Sequence, residues 1–80
     1  MDFEILGFLK ANKNRLRVLE MLSSSDASEG EIAHKLRMSP LAVKKTLKDL
    51  RSRGLVESDA EKERYTATEK GRKALRSMAR

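Results

Sequence analysis

Between Ser39 and Arg53 the chain carries Lys44, Lys45, Lys48 and Arg51 against one acid, Asp49. An α-helix advances about 100° per residue, so on a helix Val43, Leu47 and Leu50 would share a narrow arc. Leu41, Lys45, Lys48 and Ser52 would lie opposite, with Lys44 and Arg51 on one flank. The apolar arc must face a core, which leaves a strip of lysines around an exposed leucine. Such a strip suits a polyanion. The major groove of B-DNA admits a helix, its phosphates and guanine edges accept from ammonium groups, and a thymine methyl meets an apolar side chain. An ordinary solvated helix face has a similar composition, so the rest of the chain must decide between the two.

Other chemistries find little support. His34 is the only histidine and there is no cysteine, so one protomer assembles no metal site of ordinary ligand count. His34 is expected on the surface. The carboxylates have the pattern of helix caps and surface pairs such as Glu69–Lys73. No glycine-rich phosphate loop and no nucleophile motif occurs. The expectation is therefore no enzyme, no cofactor and no metal. One tyrosine and two phenylalanines are too few rings for a platform on which single-stranded bases stack. Arg72, Arg76 and Arg80 recur at four-residue spacing, a stripe that is solvated by default and a phosphate contact at most.

The net charge of +6 is unevenly placed. Residues 1–38 hold six basic and six acidic side chains, whereas residues 39–80 hold twelve basic and six acidic, so the whole excess lies with the lysine strip. That asymmetry favours a polyanionic partner. Eighty residues are expected to form one domain, 1–80, burying roughly 60% of its unfolded surface. Without disulfides, self-association is the simplest added source of stability. No run approaches the ~20 apolar residues that span a bilayer. Acidic Asp2 and Glu4 precede too short an apolar stretch for a signal peptide. The protein is expected in the cytoplasm, with no membrane partner.

The elements that must position the strip can be read from caps and periodicity. Phe3–Ala11 reads as a short helix that is apolar on more than one face, with Phe3, Leu6 and Leu9 on one side and Ile5 and Phe8 on another. Its second face is extra core or a subunit interface. Asn12 or Asn14 caps a second helix to about Leu22, carrying Leu16, Leu19 and Leu22 with Val18 alongside. Ser28 and Glu31 form an S-x-x-E capping box for a short third helix with Ile32, Ala33 and Leu36 inward. Arg37-Met38 is a turn. Ser39 then caps the lysine-bearing helix with Pro40 at its first position, and Gly54 ends it. Leu55–Ser58 and Arg64–Ala67 read as two strands about an Asp59–Glu63 turn. Thr68 caps a last helix with Gly71, Ala74, Leu75 and Met78 inward.

Taken together, four segments resemble winged helix-turn-helix repressors of the ArsR and MarR type. They are FLKANKNRLRVLEML, EIAHKLRMSPLAVKKTLKDL, RGLVE and YTATEKGRKAL, in the family's order and spacing, covering roughly Phe8 to Leu75. The resemblance implies a mainly α fold with a small β-hairpin, an extra N-terminal helix and a C-terminal helix. It implies sequence-specific binding of double-stranded DNA by a small transcription regulator, with the helix at about 39–53 in the major groove. Carried over by position, Ser39, Leu41, Ala42, Lys44, Lys45 and Lys48 contact DNA. Lys45 and Lys48 are the first choices for the groove, and Ser39 and Lys44 for phosphate. Lys62 and Arg64 are the wing candidates. Family members commonly bind as two-fold dimers, and here Phe3, Ile5, Phe8 and the C-terminal helix are the expected interface.

The sequence departs from that pattern in three places. Arg37 stands where a turn glycine is usual, Ala42 replaces a common Ser or Thr, and the wing is acidic. Glu57, Asp59, Glu61 and Glu63 face Lys62 alone, a net −3 that phosphate repels. That wing favours an alternative, a winged-helix protein-interaction module within a larger transcription or replication assembly.

Overall fold

The computed structural model describes residues 2–78. Its elements run α1 (Phe3–Lys10), α2 (Lys13–Ser24), α3 (Glu29–Leu36), α4 (Pro40–Ser52), β1 (Val56–Asp59), β2 (Arg64–Ala67) and α5 (Glu69–Met78). This is the order expected from the sequence, mainly helical with one antiparallel hairpin.

The helix starts follow from side chains that satisfy first-turn N–H groups. Asp2 accepts from Glu4 and Ile5, and Asn12, not Asn14, caps α2 by accepting from the Asn14 N–H. Ser28 and Glu31 make the expected reciprocal box, with the Glu31 N–H on Ser28 Oγ at 3.1 Å and the Ser28 N–H on Glu31 Oε1 at 2.9 Å. Thr68 Oγ1 accepts the Gly71 N–H and donates to the Gly54 carbonyl, tying the start of α5 to the end of α4.

The tight stops also fall where expected. Arg37 takes the left-handed conformation at φ 56°, ψ 48°, which glycine adopts more readily. The turn holds because the Met38 N–H reaches the Ala33 carbonyl at 2.9 Å and Arg17 of α2 donates to the Leu36 carbonyl at 2.7 Å. Gly54, at φ 71°, closes α4.

Helix α2 is the central element, packing on α1, α3, α4, α5 and β2. Its Val18, Leu19 and Leu22 join Leu9, Ile32, Val43, Leu47, Leu50 and Leu55 in a fully buried core. Leu16 is only half-buried. Helix α5 closes over this core so tightly that a Cβ on Gly71 would overlap the Leu55 carbonyl. Strand β1 begins one residue later than expected, at Val56. Leu55 belongs to the core, with its N–H on the Leu50 carbonyl and its own carbonyl taken by Thr68. The strands pair from Val56–Ala67 to Asp59–Arg64, and Tyr65 adds a two-way backbone bridge to Ala27, at 2.8 and 3.0 Å. That bridge fixes the hairpin beside the start of α3.

On α1 the two expected faces are rearranged. Ile5 and Leu9 point into the core, whereas Phe3 remains 77% exposed. Ile5, expected at a subunit interface, is therefore occupied within its own chain. Phe8 is half-buried beneath two guanidinium groups, Arg15 at 3.9 Å and Arg53 at 4.6 Å from its ring centre. Among the described residues, no helix is long and apolar enough to cross a membrane.

Candidate nucleic-acid interface

Helix α4 is locked to the body by its inner face. Val43, Leu47 and Leu50 are buried as expected, and Thr46 joins them at 5% exposure. Thr46 escapes a reading based on apolar periodicity because its hydroxyl marks it as polar. With that face fixed, the opposite one has no choice of direction. Leu41 is 78% exposed, and Lys44, Lys45, Lys48, Arg51 and Ser52 are exposed with it. From Leu41 to Lys48 the strip rises about 10 Å at ~1.5 Å per residue. Ala42 is half-buried beside the strip.

The electrostatics of α4 sharpen this arrangement. Its one acid, Asp49, is paired with Arg15 of α2 at 3.5 Å, both side chains being partly covered. Arg15 is itself held by the Phe8 carbonyl at 2.8 Å and by the Phe8 ring, although its Nε is buried without a partner. The acid that would offset the lysines is thus turned to the body. At the N-terminus, Ser39 Oγ accepts the Ala42 N–H at 3.1 Å, and Pro40 has no N–H to satisfy. The first turn of α4 contains no acid, whereas α3 carries Glu29 and Glu31 in its own. No acid of its own first turn therefore offsets the positive end of the α4 dipole.

The hairpin is arranged the other way. Arg64 is drawn inward, with Nε on Asp26 Oδ1 at 2.9 Å, Nη2 on the Asp26 carbonyl at 3.0 Å and Nη1 on Glu31 at 2.9 Å. The hydrogen bond to Asp26 leads the causes that raise the Arg64 pKa. The Ser28 N–H, followed by the charge of Arg64, holds the Glu31 carboxyl below the ordinary glutamate value. Lys62 is exposed in the turn, where Asp59 Oδ1 accepts the N–H groups of Glu61 and Lys62. Glu57, Asp59, Glu61 and Glu63 are all exposed. Tyr65 donates to Glu29 at 3.1 Å, and burial, with that bond behind it, pushes its phenol up. A shallow hollow between α3 and the hairpin is lined by Glu29, Asp59 and Glu63 with Arg64 and Tyr65, so it is acidic.

The other sequence candidates are more ordinary. His34 is exposed on α3, and no group of three or more metal-ligating side chains gathers among the described residues. On α5, Arg72 is half-buried and Arg76 is paired with Glu69 at 3.0 Å; Arg80 lies outside the described residues. A groove between α1 and α5 is lined by Ile5, Leu6 and Ala74 with Asp2, Lys70 and Lys73 at its edges. The residues that sequence reasoning missed are Arg15 and Asp26. Each neutralises a charge at least 34 positions away, and nothing local to either residue signals it.

Two helices joined by a tight turn, α3 and α4, followed by a hairpin and a closing helix define a winged helix-turn-helix protein. More narrowly, the chain belongs to the HVO_A0261 N-terminal domain family, whose model matches residues 4–80. Solved structures of ZitR from Lactococcus lactis are similar. A single mutant in complex with DNA superposes with a TM-score of 0.77 at 29% identity, over 89% of this chain and 52% of that one. A double mutant gives 0.75 at 27% identity, over 85% and 50%. The apo form of that double mutant also gives 0.75 at 27%, over 95% and 62%. This chain therefore spans between 50% and 62% of the length of those ZitR chains. No curated protein matches it in sequence.

Proposed function

We propose that the chain is a small DNA-binding transcription regulator of the ArsR and MarR type, which reads double-stranded DNA by placing α4 in the major groove. The observation that carries this reading is the α4 surface itself. Its apolar side is buried, its acid is paired inward, and its outer strip is Leu41, Lys44, Lys45 and Lys48. The likeness to a ZitR structure solved with DNA supports it. In this reading Lys45 and Lys48 enter the groove, each neutralising a flanking phosphate as it reaches toward the base edges, and Ala42 lies against the groove wall. Ser39 and Lys44 meet phosphate at the positive end of the helix. Lys62 is the wing residue that reaches the backbone, because Arg64 is engaged by Asp26 and Glu31.

The same reading makes the protein a cytoplasmic homodimer without enzymatic activity, metal or cofactor. Phe3 and Leu6 of α1, with α5, supply the seam, and Phe8 and Ile5 support it from within. Two copies would then address half-sites about one helical turn apart, roughly 34–36 Å.

Selection of bound fragments from random-sequence duplex DNA, with light scattering on the free protein, tests both statements. A shared two-fold motif and a dimer mass are expected. Weak, sequence-blind retardation would contradict the regulator reading. It would favour a winged-helix module for protein contacts within a transcription or replication assembly, the reading to which the acidic hairpin points.

A further inference from the structure

Among the described residues, Phe3 and Leu41 are the two large hydrophobics left exposed. Their settings differ. Phe3 sits on α1, whose Leu6 continues into the apolar groove against α5. Leu41 stands in the first turn of α4 with Lys44 and Lys45 one turn further on, all exposed. A lone leucine with two lysines one turn away is a poor seat for another protein's apolar face. A partner must offer one small apolar group inside an anionic field.

We propose that Leu41 reads thymine: its side chain packs on the 5-methyl group of a thymine in the major groove, so the target discriminates T from bases that lack that methyl. This rests on the reading of α4 as the helix that enters DNA, and it names the base chemistry sought there. Thymine alone among the four bases presents a methyl in the major groove, and the phosphates on either side supply the negative field. The N-terminal residues of a groove-bound helix are the ones that meet base edges, and helical side chains lean toward the N-terminus. Leu41 satisfies both conditions. Ser39 and Pro40 hold its backbone in place, since the Ser39 hydroxyl caps the turn and Pro40 begins it. Charge complementarity is intact around it, because the first turn has no acid and Asp49 is turned to Arg15.

The test uses duplexes enriched from a random pool, resynthesised with deoxyuridine for thymidine, first throughout and then one position at a time. Deoxyuridine removes the methyl and changes nothing else in base pairing. One position per half-site is expected to bind about fourfold more weakly as dU, the equivalent of one buried methyl group. Leu41→Ala is expected to bind the T and U forms equally, with the wild-type salt dependence, because the lysines are untouched. Leu41 is exposed, so the variant keeps the fold, and circular dichroism checks this. Equal wild-type affinity for T and U forms would overturn the proposal while leaving α4 as the reading helix. A difference that survives in Leu41→Ala would assign the methyl to another residue and overturn it as well. Failure to bind any duplex would remove both readings.

Discussion

Helix α4 and the β1–β2 hairpin lie in the same basic half of the chain, yet they show opposite charge to solvent. In α4 the acid is tied inward, Asp49 to Arg15, and the bases are left outside. In the hairpin Arg64 is tied inward, to Asp26 and Glu31, and four acids are left outside against Lys62 alone. Local composition alone understates both effects. The charge a surface offers to a polyanion is decided by which members of each pair the body has already engaged. Residues distant in sequence make that choice.

The comparison breaks most visibly if α4 is not held by its inner face. Leu47→Ala is expected to cost about 2–5 kcal/mol of stability, as for a fully buried leucine, whereas Lys48→Ala should stay within about 0.5 kcal/mol. Urea denaturation of both variants checks this, and similar losses would mean the two faces are misassigned. Next in size is the hairpin. If its acids weaken the approach of Lys62 to the backbone, Glu57→Lys combined with Glu61→Lys should raise duplex affinity and steepen its salt dependence. Two new phosphate contacts would add about 1.8 to the log–log slope. An unchanged slope would place the hairpin away from DNA altogether.

The smallest effect concerns the Arg64 cluster. Glu31 has its folded pKa depressed below the ordinary value of 4.5, first by the Ser28 N–H and then by Arg64. Its contribution to stability is therefore complete above about pH 4.5 and lost as the pH falls through the depressed value. Thermal melts of wild type and Glu31→Gln should differ at pH 7 and converge toward pH 3. Since the carboxylate is exposed, the gap is expected to be small. A gap that persists at pH 3 would assign the loss to the capping geometry and not to charge.

Much of the fold was legible because its signals are local. The Ser28–Glu31 box, Ser39-Pro40 and Gly54 mark their helix ends within a few residues, and each is observed in that role. The arc of Val43, Leu47 and Leu50 needs only helical periodicity. What could not be read is set by packing between distant segments. Whether Phe3 or Ile5 turns inward depends on where α5 lies over α1, and Leu55 leaves the strand as its side chain is buried in the core under α5 and its N–H turns back to the Leu50 carbonyl. The candidate strip was legible as a set of exposed residues. Its freedom from Asp49 was not, since Arg15 lies 34 positions away. The inward engagement of Arg64, 38 positions from Asp26, was equally hidden.

Whether the α4 lysines meet DNA is read from the salt dependence of duplex binding for wild type and for Lys45→Ala combined with Lys48→Ala. If these amines replace cations along DNA, the double variant's log–log slope should be shallower by about 1.8, with its far-UV spectrum unchanged. An identical slope in the two proteins would mean that α4 does not meet the duplex.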